Sequence, residues 1–574
     1  MRELTKKAVV LILAGFISAG ALYGGARSQS GLKGKPAGAP DTWIADRQIV
    51  VQAYINDIGY NLPDNQAASP AFQELKKRTG IDLRINYTPG QNDRTVMAAQ
   101  LAAGTIPDMI VAYLNNSTRP EFPILYKAAK DGMFADLSPY FAGAKAYNRY
   151  LEPNFLPNDT RRNIMWRDDL GGKVYLVHLD IPSVDRSLEF DPSRNYVGGP
   201  YIQERIIRAL NVDVKNIKTP DDFYNLLKAI KNGGFTDNNG RPVTPLGPKY
   251  WGGSFDAFKM CVPGLFWGIS DNYNITPEGK VLHEAETEWA MRRVNYARKL
   301  LAEGLLDPEF FTMDATRALE YYTNNSGAVI GDAHNFVDLI NQNGGWIPLN
   351  YLNDWKGDNR KTTGGKGGYC VWAVNADSKN PGEIFAFVDY LSTYEGQTLG
   401  QYGIEGLTYT LVNGKPRLNA EVMGYLNAGD KTTLINKYGF GFGGVANYFF
   451  NCVVTNTDNM TNFGEERPGI GGSNQYAKAI EIGTRYPPSG IYLVEGLSAN
   501  AYLSDGSMTA VKSRLDLLNY NEAIQQAIYA SSDAEAARII ESFRQQLLSS
   551  GVKDFEALLE RIYRADPKAI NFRP

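Results

Sequence analysis

The stretch from Val96 to Tyr113, VMAAQLAAGTIPDMIVAY, restricts the fold of this chain more than any other segment. Its first half spaces apolar residues one helical turn apart, and Gly104 can take the left-handed conformation that ends a helix. Pro107 keeps the helix from resuming, and the apolar run Met109–Ala112 is typical of a buried strand. A helix that leads directly into a buried strand predicts an α/β sheet, in which strands separated by helices pair in parallel.

Polar residues follow this predicted strand at the point where it ends. Tyr113 is followed by Asn115, Asn116, Ser117 and a threonine. In open α/β sheets, ligands bind just beyond the carboxyl ends of the strands. We therefore expect the segment to be a recognition loop, and the alternative is an ordinary surface turn.

Length and charge limit the class of protein. A chain of 574 residues is too long for one hydrophobic core and should form at least two domains. Its 59 Lys and Arg against 62 Asp and Glu give a net charge of −3, which argues against a nucleic-acid partner. The cysteines Cys261, Cys370 and Cys452 allow at most one disulfide, and the sequence does not decide whether two of them pair.

The first residues are predicted to direct export. Basic residues precede the apolar run Ala8–Leu22, and Gly24 with Ala26 gives the small residues of a cleavage site, so residues 1–26 are interpreted as a signal peptide. A membrane anchor is the competing interpretation, but the apolar run is short. Residues 27–44 are predicted to be a flexible tether. No cysteine lies near the cleavage site, so we expect a periplasmic or extracellular protein that is not lipid-anchored.

Strand and helix signals alternate along the rest of the chain. A helix is predicted to start at Ser69 and Pro70 and to end at Gly80, and a second unit is expected to begin near Gly171. Thr219 begins the strongest helix signal, with an acidic residue three positions later. Further expected elements are the strands Ile49–Tyr54, Ile81–Tyr87 and Gly327–Gly331, the helices Pro123–Asp131 and Ala285–Leu301, and helices after Pro381, around Phe543 and around Phe555.

Catalytic motifs are absent from the sequence. His178, His283 and His334 are far apart, and there is no HExxH, GxSxG, GxxxxGK[ST] or CxxC motif. Each histidine is therefore interpreted as structural or hydrogen-bonding. The glycine-rich run Gly439–Gly444 lacks the strand-to-helix context of a phosphate loop. No pair of carboxylates stands out as a glycosidase pair, although such a pair needs only spatial proximity.

One segment resembles the beginning of a calcium-binding loop. Asp237 is followed by two asparagines and Gly240, but no glutamate occupies the equivalent of the twelfth position, and Pro242 interrupts the segment. A plain Asx turn is the preferred interpretation, with calcium near Asp237 as the alternative. No other cofactor is expected.

Aromatic residues supply the second group of binding candidates. Tyr250 and Trp251 lie beside flexible glycines, and rings next to amides and hydroxyls suit the apolar faces of sugars. Core packing is the alternative for Trp251 and the preferred interpretation of Trp267 and Trp372.

The order of these features resembles the carbohydrate-type extracellular solute-binding proteins of ABC importers, the family of maltose-binding protein and its longer lipoprotein-like relatives. The resemblance covers most of the chain after the export signal. It depends on the following residues: Ala103, Gly104, Pro107 and Asp108; Gly172, Lys173 and Tyr175; Thr219–Lys231; Asn380, Pro381, Glu383, Ala386, Val388, Tyr390, Leu391 and Glu395–Gln397; and Tyr402–Gly406. This chain departs from the family in lacking an anchor cysteine and a full acidic calcium loop.

The resemblance implies a two-lobed α/β fold of the periplasmic-binding-protein type (class II), with the ligand in a cleft between the lobes. Residues 45–175 and 362–405 would form the N-terminal lobe, and residues 176–361 and 406–574 the C-terminal lobe. The implied partners are a carbohydrate ligand, specifically an oligosaccharide, and the transmembrane subunits of an ABC permease, and the protein would be a monomer without catalytic activity. The ligand-binding candidates are Tyr113, Asn115, Asn116, Trp166, Tyr250, Trp251, Asp332, His334 and Asn335.

Two alternatives stay open at this point. One is a protein of the same fold that binds peptides or other organic solutes. The other is a secreted glycosidase or polysaccharide lyase. The identity and length of the ligand, and the permease, are not decided by the sequence.

Overall fold

The computed structural model describes most of the chain after the predicted export signal. The described residues are 35–55, 62–87, 93–114, 116–153, 155–156, 159–179, 200–248, 252–253, 258, 272–276, 279–331, 345–349, 352, 361–364, 370–439, 453, 491–494, 500–565 and 570–573. The predicted signal peptide and the first part of the tether lie outside them.

The described strands and helices alternate along the chain. The strands are β1 (Arg47–Tyr54), β2 (Ile81–Tyr87), β3 (Met109–Tyr113), β4 (Val177–His178), β5 (Tyr201–Gln203), β6 (Thr244–Leu246), β7 (Tyr273–Ile275), β8 (Val281–His283), β9 (Gly327–Ile330), β10 (Trp346–Pro348), β11 (Lys361–Gly364), β12 (Cys370–Val374), β13 (Tyr409–Val412), β14 (Lys415–Leu418), β15 (Ile491–Val494) and β16 (Ile570–Arg573). The α-helices are α1 (Pro70–Thr79), α2 (Asp93–Ala103), α3 (Phe122–Lys130), α4 (Glu204–Leu210), α5 (Pro220–Asn232), α6 (Glu288–Ala302), α7 (Ala315–Thr323), α8 (Pro381–Leu391), α9 (Tyr394–Tyr402), α10 (Ala420–Asn427), α11 (Lys431–Tyr438), α12 (Thr509–Leu515), α13 (Tyr520–Ile528), α14 (Asp533–Ser550) and α15 (Val552–Ala565). A π-helix covers Asp159–Met165.

The first sheet has the strand order β2-β1-β3-β12-β4. β1 pairs in parallel with β2 and β3, as their helical crossovers require, and β12 returns antiparallel between β3 and β4. All five residues of β12 are buried, as expected for a central strand of a sheet that is covered on both faces. Trp372 in its centre is fully buried, which confirms the interpretation of this ring as core.

The second sheet has the order β10-β5-β9-β6, with β6 and β9 parallel. Its hydrophobic core is separate from that of the first sheet and takes in residues from Ile202 to Leu352 and from Val511 to Leu559. The long C-terminal helices α14 and α15 bury one face each in this core, including Phe543 and Phe555 as the sequence predicts. The first core takes in residues from Ile44 to Val177, residues from Cys370 to Leu399, and Val453.

Several local predictions are confirmed. Gly104 has a φ of +65° between α2 and β3, so it ends the helix as expected. Thr219 and Asp222 form a reciprocal capping box at the start of α5, whose apolar face is buried as predicted. The helix expected from Ala285 begins at Glu288 instead, because a 3₁₀ turn at Glu284–Glu286 precedes it.

Two segments differ from the expected organisation. β4 follows the turn at Gly171, where a second unit was expected to begin, yet it pairs with β12 in the first sheet. Residues 406–439, which the expected division assigns to the C-terminal lobe, contact the first sheet's helix α1 through α11. There the backbone N–H of Asp64 donates to Asn436 Oδ1 at 2.9 Å. Both differences are pairings between distant segments, which local sequence patterns do not encode.

Among the described residues, no helix combines the length and the apolar character needed to cross a membrane.

Candidate functional site

The loop after β3 leaves the sheet at its carboxyl edge, as predicted. Tyr113 is the last residue of β3 and pairs with Cys370 at the start of β12. Its ring is half-buried, and the guanidinium carbon of Arg119 lies 4.6 Å from the ring centroid. The next residue, Leu114, is fully buried in the first core. The loop is therefore fixed at its beginning and presents an aromatic ring with a cation stacked on it.

A tight turn brings Arg119 back over Tyr113. The side-chain oxygen of Asn116 accepts hydrogen bonds from the backbone N–H of Thr118, at 3.0 Å, and from its hydroxyl, at 2.5 Å. The backbone N–H of Arg119 donates to the carbonyl of Asn116 at 3.3 Å. Asn116 is thus an Asx-turn residue, which explains why a short polar side chain is needed here.

Asp159 holds the centre of the loop from the π-helix. Its carboxylate accepts from the backbone N–H of Ser117 at 2.8 Å, from the Ser117 hydroxyl, and from the side-chain amide of Asn163 at 2.8 Å. Ser117 and Asp159 are both buried. π-Helical turns are rare and are frequent at functional sites, and this one places its first carboxylate under the candidate loop.

His178 ties β4 to the same loop. Its Nε2 lies 2.6 Å from the carbonyl oxygen of Leu114, and its Nδ1 lies 2.8 Å from the Thr160 hydroxyl. A carbonyl can only accept, so Nε2 carries a proton, and in the neutral ring Nδ1 then accepts from the Thr160 hydroxyl. The fully buried ring is hydrogen-bonding and structural, in agreement with the interpretation from the sequence.

Asn500 reaches the loop from the opposite side. Its side-chain amide donates to the carbonyl oxygen of Ser117 at 2.7 Å and to that of Arg119 at 3.3 Å. Asn500 opens the described segment 500–565, whose helices pack in the second core. Nearby, the Tyr126 hydroxyl donates to the carbonyl of Leu503 at 3.2 Å. The candidate loop therefore lies where the first sheet meets a segment that belongs to the second core.

The second sheet offers an equivalent edge. β6 and β9 are parallel, so the segments that follow them emerge on the same side. Pro248 after β6 accepts from the Tyr322 hydroxyl at 3.2 Å, and the backbone N–H of Gly253 donates to Met313 at 2.7 Å. These contacts hold Pro248 and Gly253, described residues on either side of Tyr250 and Trp251 in the sequence.

The structure describes three of the predicted ligand-binding residues: Tyr113, Asn116 and Trp166. Trp166 is half-buried directly after the π-helix, 5.5 Å from the Phe141 ring, with the Arg161 guanidinium 5.4 Å from its own ring. The hydrogen bonds of Asp159 connect its helix to the loop of Tyr113 and Asn116. The predicted residues outside the described part of the chain are Asn115, Tyr250, Trp251, Asp332, His334 and Asn335.

Sequence reasoning did not identify Arg119, Asp159 or Asn500 as parts of this site. Arg119 carried a usable signal, because it follows the polar residues of the predicted loop directly. Asp159 and Asn500 carried none, since each meets the loop from a segment that is distant in the sequence.

A cavity of about 570 Å³ lies at the opposite end of the first sheet. Arg47 at the start of β1 lines it and pairs with Asp108 at 3.1 Å and with Glu383 at 3.2 Å. Arg47 thus shares its charge between two carboxylates and connects β1 with α8 and with the residue that precedes β3. The geometry favours a structural ion-pair network here, at the edge of the sheet opposite the candidate loop, whereas ligands of open α/β sheets bind beyond the carboxyl ends of the strands.

Asp237 forms the Asx turn that the sequence favoured over a calcium loop. Its carboxylate accepts from the backbone N–H groups of Asn239, at 2.8 Å, and Arg241, at 2.9 Å, and from the Ser326 hydroxyl at 2.9 Å. Burial alone would raise the pKa of this carboxyl, but these hydrogen bonds lower it below its ordinary value. Within the described residues, no group of three or more His, Cys, Asp or Glu side chains is arranged to hold a metal ion.

Cys370, at the base of the candidate loop, forms a disulfide bond. Cys261 and Cys452 both lie outside the described residues.

Solved structures share this arrangement of two α/β units. The Streptococcus pneumoniae ABC-transporter substrate-binding protein FusA in complex with kestose matches with a TM-score of 0.60 at 16% identity, covering 90% of this chain and 99% of that one. A solute-binding protein for HMO from Bifidobacterium longum infantis matches with a TM-score of 0.60 at 14% identity, covering 92% and 99%. The alginate-binding protein AlgQ2 without calcium ion matches with a TM-score of 0.58 at 18% identity, covering 92% and 100%.

The chain has the fold of the extracellular solute-binding proteins. The resemblance in its sequence and its two-lobed α/β fold class are confirmed at this level.

Curated relatives of this solute-binding fold come from Bacillus subtilis (strain 168). The lipoprotein LipO is 23% identical over 359 residues, which is 60% of this chain and 65% of LipO. The polygalacturonan/rhamnogalacturonan-binding protein YtcQ is 25% identical over 354 residues, which is 59% of this chain and 63% of YtcQ. The matched regions thus span less than two thirds of either relative. No protein-family model matches the chain.

Proposed function

We propose that the protein captures an oligosaccharide between its two lobes outside the cytoplasm and delivers it to the transmembrane subunits of an ABC permease. The observation that carries this proposal is the position of the loop Tyr113–Arg119. It leaves the carboxyl edge of the first sheet and is hydrogen-bonded to Asn500, which leads into the second core. A ligand bound at this loop is therefore close to elements of both lobes.

The chemistry of the loop suits a sugar. Tyr113 and Trp166 are half-buried rings that can pack against the C–H face of a pyranose, and Asn116 and Arg119 offer donors beside them. Tyr250 and Trp251 would supply rings from the second lobe. YtcQ is named for binding polygalacturonan and rhamnogalacturonan, and this relative supports a carbohydrate ligand over a peptide.

We propose that the protein binds its ligand without catalysis. The carboxylates beside the candidate loop already have partners, since Asp159 accepts from Ser117 and Asn163, and Glu121 pairs with Arg119 at 3.2 Å. A glycosidase needs one carboxyl group free to donate a proton and another free to act on the sugar or on water. YtcQ and the matched structures are binding proteins by name, which supports the same conclusion.

We further propose an exported monomer whose lobes close on the ligand. Closure requires only that the ligand bind the closed state more tightly than the open one. The N-terminal lobe would take residues 45–175 and 362–405, extended by β4 and by residues 406–439. The pairing of β4 with β12 and the bond between Asp64 and Asn436 support this extension. The remaining residues would form the C-terminal lobe.

Cleavage after Ala26 and the lack of a lipid anchor stay predictions, and LipO is by name a lipoprotein.

Native mass spectrometry of the purified protein tests this function. A co-purified mass that fits an oligosaccharide, together with thermal stabilisation by the same compound, is the expected result. A panel of sugars and peptides in the thermal-shift assay separates the alternatives. A peptide mass would contradict the carbohydrate assignment, and release of shortened sugars on incubation would contradict a purely binding role.

A further inference from the structure

We propose that Arg119 makes the site selective for oligosaccharides that carry carboxylate groups. This inference rests on the proposed carbohydrate-binding function and names the class of sugar. Its basis is the position of one guanidinium group in the loop after β3, the contacts that this group makes, and the donor groups that it keeps available for a ligand.

The guanidinium of Arg119 is held on one side by two contacts. Its carbon lies 4.6 Å from the centroid of the Tyr113 ring, and its Nε donates to Glu121 Oε2 at 3.2 Å. Glu121 is largely buried, with 14% of its side chain exposed, so it is a fixed partner. The contact with the Tyr113 ring and the Nε bond together restrict the movement of the guanidinium.

The other side of the guanidinium is open to a ligand. In the part of the chain that the structure describes, neither terminal Nη nitrogen of Arg119 has a hydrogen-bond partner within the chain. The side chain is 35% exposed. Two parallel N–H groups on a preorganised guanidinium match the two oxygens of a carboxylate, which they bind in bidentate fashion.

The backbone places this group at the contact between the lobes. The carbonyl of Arg119 accepts from Asn500 at 3.3 Å, and its N–H donates to Asn116. An acidic sugar that stacks beside Tyr113 would therefore meet the Nη edge of Arg119 where the proposed cleft lies. Uronate units provide a pyranose face for the rings and a carboxylate for the guanidinium in one residue.

Calorimetric titration compares acidic sugars with neutral ones. The probes are trimers of galacturonate, glucuronate and mannuronate, each beside the neutral trimer in which every carboxylate is a hydroxymethyl group. We expect at least one acidic trimer to bind, its neutral counterpart to bind about 10- to 100-fold more weakly, and the acidic affinity to fall as NaCl rises from 50 to 300 mM.

Substitutions then test Arg119 itself. Arg119→Gln should weaken the acidic trimer about 10- to 100-fold with little effect on the neutral one, and Arg119→Lys should restore only part of the affinity, because an ammonium cannot bind a carboxylate in bidentate fashion. Arg544→Gln is the matched control. Arg544 is 36% exposed and pairs with Glu541 at 2.7 Å on α14, so it removes the same charge far from the candidate loop.

Each outcome separates this inference from the proposed function. Equal or better binding of the neutral trimers, or an Arg119→Gln variant that binds an acidic trimer like the parent, overturns the inference and leaves carbohydrate capture standing. Failure of a broad panel of acidic and neutral sugars to bind overturns the proposed function itself.

Discussion

The side-chain amide of Asn500 donates to the carbonyl oxygen of Ser117 at 2.7 Å across 383 residues of sequence. Asn500 is 6% exposed, and its own carbonyl accepts from the backbone N–H of Leu503 in the 3₁₀ turn that follows. One buried amide thus connects the candidate loop of the first sheet to the segment that enters the second core. If the two cores belong to two lobes as proposed, this bond couples the position of the loop to the arrangement of the lobes.

Asn500→Ala should destabilise the protein by about 1 to 3 kcal/mol, because the Ser117 carbonyl loses a buried donor. Ligand affinity should fall as well, since the loop loses one of its two anchors. Urea unfolding and calorimetric titration measure the two effects. Asn500→Asp keeps the volume and should be at least as damaging, because its carboxylate faces a carbonyl oxygen. Gln546→Ala, on the exposed face of α14, is the control and should change neither stability nor affinity measurably. An Asn500→Ala variant with effects as small as those of the control would contradict the coupling.

Asp159→Ala should lower the free energy of unfolding more than Ser117→Ala does. The first substitution leaves the backbone N–H of Ser117 and the amide of Asn163 without an acceptor, for which we expect about 2 to 4 kcal/mol. The second removes only the hydroxyl and keeps the backbone bond at 2.8 Å, for which we expect about 1 kcal/mol. Unfolding free energies of both variants check the order. If Ser117→Ala proved the more destabilising, the carboxylate would not be the anchor of the loop.

Trp251→Ala should weaken ligand binding at little cost in melting temperature, as expected for a ring that contacts a sugar. Trp372→Phe gives the contrast, because Trp372 is fully buried and its Nε1 donates to the Tyr147 hydroxyl at 3.0 Å. That variant should lose about 1 to 3 kcal/mol of stability with unchanged affinity. Thermal unfolding and ligand titration of each variant measure the change in stability and the change in affinity. A large loss of stability in Trp251→Ala with unchanged affinity would make Trp251 a core residue.

The local part of this fold is readable from the sequence, and its long-range part is not. Gly104, Pro107 and the apolar run after them determine α2, β3 and the loop, because capping and periodicity act over a few residues. The insertion of β12 between β3 and β4 depends on pairing between distant strands. β12 and β3 are more than 250 residues apart in the sequence. Likewise, Asn116 and Tyr113 were identifiable from their position after a strand, whereas Asn500 has no local pattern that distinguishes it from other asparagines.

Stability should fall as the pH rises from about 5 to about 8, owing to a buried pair of carboxyl groups. Lys553 Nζ lies 2.6 Å from Glu286 Oε1 and 3.0 Å from Glu556 Oε2, which holds the two acids together. Burial is the largest cause that raises the pKa of Glu556, and the hydrogen bond with Glu286 is the next. The pKa rises from its ordinary 4.5 to about 8, although the hydrogen bonds from the His283 backbone N–H and from Lys553 lower it. The folded protein therefore binds a proton that the unfolded chain has released in this window, and deprotonation costs stability.

Glu556→Gln should remove this pH dependence, since an amide can accept from the His283 N–H and donate to Glu286 at every pH. Relative to the parent, the variant should gain about 1 to 3 kcal/mol between pH 5 and pH 8. Urea unfolding at pH 5, 6.5 and 8 measures the difference. Glu560→Gln on the same helix is the control, because Glu560 pairs with Arg564 on the surface. A parent protein whose stability rises across this range would contradict the shared proton.

Gly253→Ala should disturb the segment that carries Tyr250 and Trp251. A Cβ atom at this position would lie 1.3 Å from the carbonyl oxygen of Phe310, so the backbone on one side must move. Gly253 also donates to Met313 at 2.7 Å, and that bond would be strained or lost. We expect a loss of stability of about 2 kcal/mol or more, together with weaker ligand binding, because the proposed stacking rings shift with the segment. Gly424→Ala is the matched control. Gly424 lies in α10 with open space where its Cβ would be, so alanine there should be neutral or stabilise the protein by about 0.5 to 1 kcal/mol. Melting temperatures and ligand titrations of the two variants provide the comparison, and a Gly253→Ala variant with the parent's stability and affinity would show that this segment does not support the binding edge.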